Sequence, residues 1–399
     1  MPLGIYVAVP FCRTKCSYCN FASGVFGQAR LEQYVQQVCA DIRRAERTAT
    51  DMGGLFTREA DSVYLGGGTP TLLDPAQLEL IFAALHETFT IAADSEITVE
   101  CAPGTLTPAM LDALTNCGVN RISLGVQSFI DVVARAVGRL HSCATALDDI
   151  RRLQAAGVAN LNIDLIAGLP HQTHESWRRS LRQALDTGAP HLSVYMLEVD
   201  EDSRLGREVM AGGTRYHAHF VPDEDLTAAL YEDACKTLDG AGVSQYEISN
   251  FARAGWESRH NLKYWHRQPY WGFGVDAHSF LATPAAAQDG ATRADEDLEA
   301  VRFAISDSLD LYLAGTPLVR TMVSRRQARE ESFFLGLRLV RGVDLNELER
   351  RYGLPANARH TISELCEAGL VEYGRNQDRI RLTSRGRLLS NEVFARFLA

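Results

Sequence analysis

Ile5-Tyr-Val-Ala-Val9-Pro-Phe-Cys12-Arg-Thr-Lys-Cys16-Ser-Tyr-Cys19 is the stretch from which the fold can be read. Its first residues are apolar and partly β-branched, which reads as a buried strand. Three cysteines in C-x3-C-x2-C spacing follow directly at the strand's end. Three thiolates suit an iron–sulfur cluster better than a disulfide or a zinc ion. A four-iron cluster on three cysteines keeps one iron without a protein ligand, open to a small molecule. A structural zinc site would want four protein ligands. No fourth Cys or His lies close by, and the next cysteine, Cys39, falls inside a predicted helix. The plainer alternative is buried structural cysteines at chance spacing.

The pattern of a strand followed by a motif repeats along the first half of the chain. Strands are predicted at 5–9, 62–65, 96–100, 121–125, 161–166 and 191–195, and helices at 31–47, 75–89, 108–117, 130–136, 143–156 and 174–185. Asp74 before Pro75 and Thr107 before Pro108 read as N-caps with proline at the first helical position. Gly118 and Gly157 sit where glycine ends helices. Successive βα units argue for a parallel sheet, and six of them are too few for a full eight-fold barrel. The expected fold is therefore α/β, a partial (β/α)6 barrel of the TIM type, with its chemistry at the C-terminal strand ends. The motifs obey that rule. The cysteines follow the first strand, Gly66-Gly-Gly-Thr-Pro70 the second, Glu100 the third and Gly125-Val-Gln-Ser128 the fourth; Asp164 lies in the fifth and Tyr195 ends the sixth.

The barrel is expected over 1–196. A C-terminal α+β extension is expected over 197–316. It has a charged loop at 200–207, a helix at 223–241, an aromatic and polar stretch at 246–280 and an Ala/Gly/Asp-rich loop at 282–294. The tail, 317–399, reads as a small winged-helix-like domain, with helices at 326–338, 344–351 and 356–368 and a wing at 371–373 and 380–382. Arg351, Arg359, Arg375, Arg379 and Arg385 give this tail positive charge, but Glu347, Glu349, Glu364, Glu367 and Glu372 interleave with them. A structural or protein-contact role is expected over DNA binding. The net charge of −10 likewise argues against a general nucleic-acid binder. Nine cysteines without a secretory leader or a membrane-length apolar run point to a reducing cytoplasm.

Other motifs are less specific alone. The glycine triplet at 66–68 would let a ligand approach the backbone, but it fits a tight turn equally well. It matches neither the dinucleotide nor the P-loop pattern. Glu100 and Asp164 could accept hydrogen bonds from ribose hydroxyls or an ammonium group, or could cap local structure. Gln127 offers a donor and an acceptor, and Arg139 could grip a carboxylate, or both could belong to a core polar network. His260-Asn-Leu-Lys-Tyr264-Trp265 joins an imidazole to flat rings, which suits a haem. A satisfied structural histidine is the simpler reading of the residues alone.

Together these residues resemble the radical S-adenosylmethionine (radical SAM) superfamily, and more narrowly its branch related to oxygen-independent coproporphyrinogen III oxidase. The C-x3-C-x2-C motif defines the superfamily, and residues 66–70 look like the segment that contacts the methionine amino group. The resemblance implies a [4Fe-4S] cluster on Cys12, Cys16 and Cys19. It also implies SAM held by Tyr6, Tyr18, Gly67, Gly68, Thr69, Glu100, Gln127, Arg139 and Asp164. Within the branch the chain is more similar to the haem chaperone family than to the oxidase. The oxidase pattern carries a further cysteine where this chain has Phe21, and its longer N-terminal extension is absent here. The His-Asn-x-x-Tyr-Trp segment is similar to that family's haem motif, which implies haem contacts from His260, Tyr264 and Trp265. The chain departs from the pattern at Ala8-Val9, usually His-Ile, and at Asn20, usually Asp. The resemblance implies a cytoplasmic haem chaperone that delivers haem to haem proteins such as respiratory enzymes, acting transiently at the inner face of the membrane, and it allows a homodimer. The alternative is an oxidase-like radical enzyme that decarboxylates a porphyrinogen.

Overall fold

The computed structural model describes residues 1–284, 286, 297–355, 357–374 and 378–398. Most of the predicted loop at 282–294, together with Ala356 and Arg375, lies outside these residues.

The six predicted strands are present as β1 (Leu3–Val9), β2 (Glu59–Gly67), β3 (Thr90–Cys101), β4 (Arg121–Gln127), β5 (Asn160–Ala167) and β6 (His191–Met196). They lie side by side in chain order, each parallel to the next. β1 is buried along almost its whole length, as expected for a parallel strand covered on both faces. The helices between them are capped as the sequence reads. Asp74 and Gln77 form a capping box ahead of Pro75–Thr88, and Thr107 accepts from the Met110 amide at the start of Pro108–Asn116. Trp177, fully buried on the helix His174–Asp186, donates from its indole to the Leu230 carbonyl at 2.7 Å.

Several elements differ from expectation. β3 begins at Thr90 because residues 90–91 pair with Glu59 and Ala60, although residues 90–94 face mostly outward. The predicted helix at 31–47 breaks at Arg44 into Gln28–Arg43 and Ala45–Met52. The predicted charged loop at 200–207 contains the start of the helix Arg204–Met210, whose N-cap Ser203 accepts from the Gly206 amide at 2.8 Å.

The sheet also continues beyond residue 196. β7 (Ser244–Gln245) and β8 (Asn250–Ala252) add antiparallel strands beside β6. β9 (Tyr270–Phe273) runs parallel to β1, and β10 (His278–Ala282), β11 (Leu298–Ala304) and β12 (Val319–Ser324) extend that edge in antiparallel fashion. The result is one twelve-stranded sheet. The predicted tail boundary at 316/317 therefore falls ahead of a strand that belongs to this sheet. A second apolar core joins Ile248, Phe280, Ala300 and Val323 to the helix Arg325–Arg338, the helices Leu345–Tyr352 and Ala358–Glu367 and a small sheet of β13 (Val343–Asp344), β15 (Arg379–Leu382) and β14 (Val371–Tyr373). Glu331 ties this unit to the large sheet through Arg267 at 2.6 Å and Arg302 at 2.8 Å.

The extension is fastened to the barrel from inside. Glu96 of β3 accepts from the amides of Arg259 (3.0 Å) and His260 (2.9 Å) and from the Ser258 hydroxyl (3.3 Å). It thereby anchors the start of the helix Arg259–Trp265. Its carboxylate also lies 4.0 Å from the buried Arg121 guanidinium. Glu96→Ala should therefore cost about 3–5 kcal/mol in denaturant unfolding, because it leaves a buried guanidinium and two amides unpaired. A loss below about 1 kcal/mol, typical of an exposed pair, would contradict this anchoring role.

Candidate functional site

The C-terminal ends of the strands face one cavity of about 470 Å³. Its lining includes Cys12, Cys16 and Cys19 together with Gly67, Gly68 and Thr69. Tyr18, Glu100, Gln127, Arg139 and Asp164 line it as well. Tyr6 does not reach this lining. Its hydroxyl lies against Gly67, where an added Cβ would approach it to 2.9 Å, so it supports the loop from behind.

The cysteine loop is held at several points. The Cys12 amide donates to the Gly24 carbonyl, and the Gly24 amide donates to Pro10, each at 2.9 Å. The Ser17 amide reaches Val137 at 3.1 Å, while the Ser17 carbonyl accepts from Leu205 at 2.7 Å. Arg204 donates to the Lys15 carbonyl. The Arg139 guanidinium stands 3.7 Å from the Cys16 sulfur and also donates to the Gly125 carbonyl. All three cysteines are free thiols. Burial raises the Cys12 thiol, partly offset by the Ser23 hydroxyl. Among the described residues no group of three or more His, Cys, Asp or Glu converges on a single metal ion. A four-iron cluster takes its thiolates on separate irons, so that convergence is not its requirement.

The glycine triplet is explained by crowding. A Cβ on Gly68 would meet the Val9 carbonyl at 2.5 Å and the Phe11 amide nitrogen at 2.9 Å. Gly67 takes φ +92 and donates its amide to Glu100 at 3.0 Å. Tyr64 gives Glu100 a second hydrogen bond at 2.9 Å. Asp164 accepts from Ser123 at 3.1 Å and Asn162 at 2.7 Å. Burial pushes Glu100 up to about 7, and the nearby Asp164 adds to the rise. Burial raises Asp164 too. Two desolvated carboxylates facing one cavity form a place for a cationic ligand with hydroxyls to donate. Gln127 adds a further sign. It is non-glycine at φ 67, beside the irregularity in the β4–β5 pairing, and its Oε1 is buried without a partner. Sulfurs at the loop, an unpaired amide oxygen and paired carboxylates fit a cluster and SAM together.

The structure does not bring His260, Tyr264 and Trp265 to this cavity. His260 is buried, with Nδ1 3.0 Å from the Ser62 hydroxyl and Nε2 2.9 Å from the Tyr264 hydroxyl. Both ring nitrogens are engaged, and burial lowers its pKa to about 3. The Trp265 ring lies under the Arg338 guanidinium at 4.3 Å. The segment lies between barrel and extension, and both of its imidazole nitrogens are hydrogen-bonded within the chain. Sequence reasoning also missed Tyr64 and Ser123. Tyr64 stands beside Tyr6 in the β1–β2 register and two residues before Gly66, so strand alternation could have found it.

The radical SAM superfamily model matches residues 6–184, and the HemN C-terminal domain model matches residues 323–389. The protein named heme chaperone HemW from Bacillus subtilis is 32% identical over 98% of this chain and 98% of its own length. That of Escherichia coli is 34% identical over 71% of each chain. A solved structure, the coproporphyrinogen III oxidase HemN of Escherichia coli, superposes with a TM-score of 0.79 over 99% of this chain and 90% of that one, at 24% identity. That likeness shows the fold. Fold and cavity define a radical SAM protein. The chain belongs, within that superfamily, to the HemW family.

Glu100 provides a pH test. Its folded pKa lies above its ordinary value of 4.5, so the native state holds the extra proton between about 4.5 and 7. The stability it contributes is full below that window and is lost as pH rises through it. Thermal unfolding of the ligand-free chain should show this decline, and Glu100→Gln should flatten it. An unchanged profile in the variant would contradict the assignment.

Proposed function

We propose that this chain is a haem carrier built on a radical SAM site. It holds a [4Fe-4S] cluster on Cys12, Cys16 and Cys19, binds SAM beside it, and takes up haem for delivery to haem proteins. The observation that carries this reading is the shared cavity, in which three thiols and two buried carboxylates face one space. When bound, the cluster would supply an iron open to SAM and an electron for it. The protein's own residues would do the positioning. Glu100 and Asp164 would accept from the ammonium group or the ribose hydroxyls, and Arg139 would set a positive charge beside the cluster sulfurs. Gln127 would pair its free oxygen with a ligand donor.

Carriage is favoured over porphyrinogen oxidation by two facts. Relatives matching nearly the whole chain are named heme chaperones. Phe21, 59% exposed, stands where the oxidase pattern has its further cysteine. Handover to a respiratory enzyme would take place at a membrane surface. Among the described residues no helix is long and apolar enough to cross one.

The test pairs two assays on one sample. The cluster is reconstituted anaerobically, then haem uptake and coproporphyrinogen turnover are measured. Stoichiometric haem uptake without decarboxylation is expected, and Cys16→Ser should abolish the cluster spectrum. Rapid formation of protoporphyrinogen would overturn the carrier reading.

A further inference from the structure

A second cavity, of about 640 Å³, opens behind the cysteine loop. Thr14, Lys15 and Gly138 line both cavities, so the loop that carries the thiols is a shared wall. Ser17, between Cys16 and Cys19, lines only the second. The charge of this cavity is one-sided. Lys15, Arg135 and Arg204 line it, and among the described residues no aspartate or glutamate does. The chain carries 50 acidic residues against 40 lysines and arginines, so a lining without an acid runs against its composition.

Several donors here stay unused by the chain's own contacts. Ser17 is only 4% exposed, and its hydroxyl oxygen is buried without a partner. Arg204 gives Nη2 to the Lys15 carbonyl, while its Nε is buried without a partner. Lys15 spends one N–H on the Phe21 carbonyl at 2.9 Å and keeps the others. Arg135 donates from Nε to the Asp131 carbonyl at 3.2 Å, and its Nη2 stands 3.9 Å from the Asp131 carboxylate, which leaves Nη1. A buried hydroxyl and a buried guanidinium N–H without acceptors cost free energy, and an acceptor arriving from outside would remove that cost.

The donors that remain select the kind of acceptor. A carboxylate is planar and is held best by both arms of one guanidinium. Arg204 has one arm committed, so the remaining donors are single groups on different elements. A tetrahedral phosphate accepts from several directions and suits such a set. The rings of Tyr216 and Phe220 are already covered, by Arg204 and by His171 and His219, so the lining asks for charge and not for a flat ring. The cavity has room for more than one phosphate group and falls within the ordinary range for small-molecule pockets. We propose that this second cavity binds a small phosphorylated molecule, whose phosphate oxygens accept from Ser17, Arg204 and Lys15 while Arg135 adds positive charge at the rim. The ligand's negative charge then lies behind the loop that carries the cluster thiols. That charge favours the oxidised cluster, and by reciprocity the ligand binds more weakly once the cluster is reduced.

Diphosphate titrated calorimetrically into the full chain, with its cluster reconstituted, tests the site. Saturable one-to-one binding is expected, at least about tenfold tighter than that of citrate and weakening as salt rises. Ser17→Ala removes a hydrogen bond to a charged group and should weaken diphosphate binding by about tenfold. Arg135→Gln, on an exposed side chain, should weaken it a few-fold. SAM binding and the cluster spectrum should persist in Arg135→Gln, which separates a lost ligand from a damaged loop. Diphosphate should also lower the midpoint potential of the cluster. Absence of saturable diphosphate binding, citrate binding as tightly as diphosphate, or unchanged diphosphate affinity in both variants would overturn the proposal.

Discussion

Gly68 packs where β2 touches the end of β1, and the cofactor site depends on that approach. There is room there for a hydrogen and nothing more, since a Cβ would lie 2.5 Å from the Val9 carbonyl. Because the backbones meet so closely, the Thr69 amide donates to the Phe11 carbonyl at 2.8 Å and fixes the point from which the cysteine loop departs. One residue earlier, Gly67 turns its amide to Glu100 on β3. Three neighbouring strands thus deliver thiols, amides and a carboxylate to one space. A bulkier residue at either glycine would separate the cluster loop from the carboxylate that faces it. The fold and the site are joined at this contact before any ligand arrives.

The space behind the cavity is polar, which is unusual for a barrel interior. Asn162 bonds Asp164, Ser123 and Ser193, and its carbonyl oxygen lies 2.6 Å from His191. His191 in turn reaches the Tyr246 hydroxyl at 2.9 Å, which accepts from the Ser258 amide. Ser258 leads to Glu96 and the buried helix start at His260. A satisfied network of this kind holds its members in one arrangement, and a broken one is costly. Burial keeps His191 and His260 neutral by lowering both pKa values. The network connects Asp164 in the cavity to the extension, so the extension helps orient the site without touching a ligand.

Much of this was legible because it rests on local rules. The parallel run β1–β6 announces itself through apolar stretches, each followed by a motif, and the helix starts through Asp74-Pro75 and Thr107-Pro108. The start of β3 was not legible, since Thr90-Ile-Ala-Ala-Asp94 is mostly exposed and its apolar residues do not alternate with polar ones. Neither was the continuation of the sheet into β12, because a short strand with exposed Val319 carries no alternation to detect. The His260 segment is ambiguous for a different reason: imidazole and flat rings suit a haem and suit a buried, hydrogen-bonded helix start equally.

The account places SAM on the open iron of a cluster that this loop holds through three thiolates. Electron–nuclear double resonance on the reduced, reconstituted cluster, with SAM isotope-labelled at the methionine nitrogen, tests that directly. The account predicts a hyperfine coupling between the labelled nitrogen and the cluster, which Cys16→Ser abolishes with the cluster itself. Saturating SAM that leaves the cluster signal without any coupling to the label would contradict it.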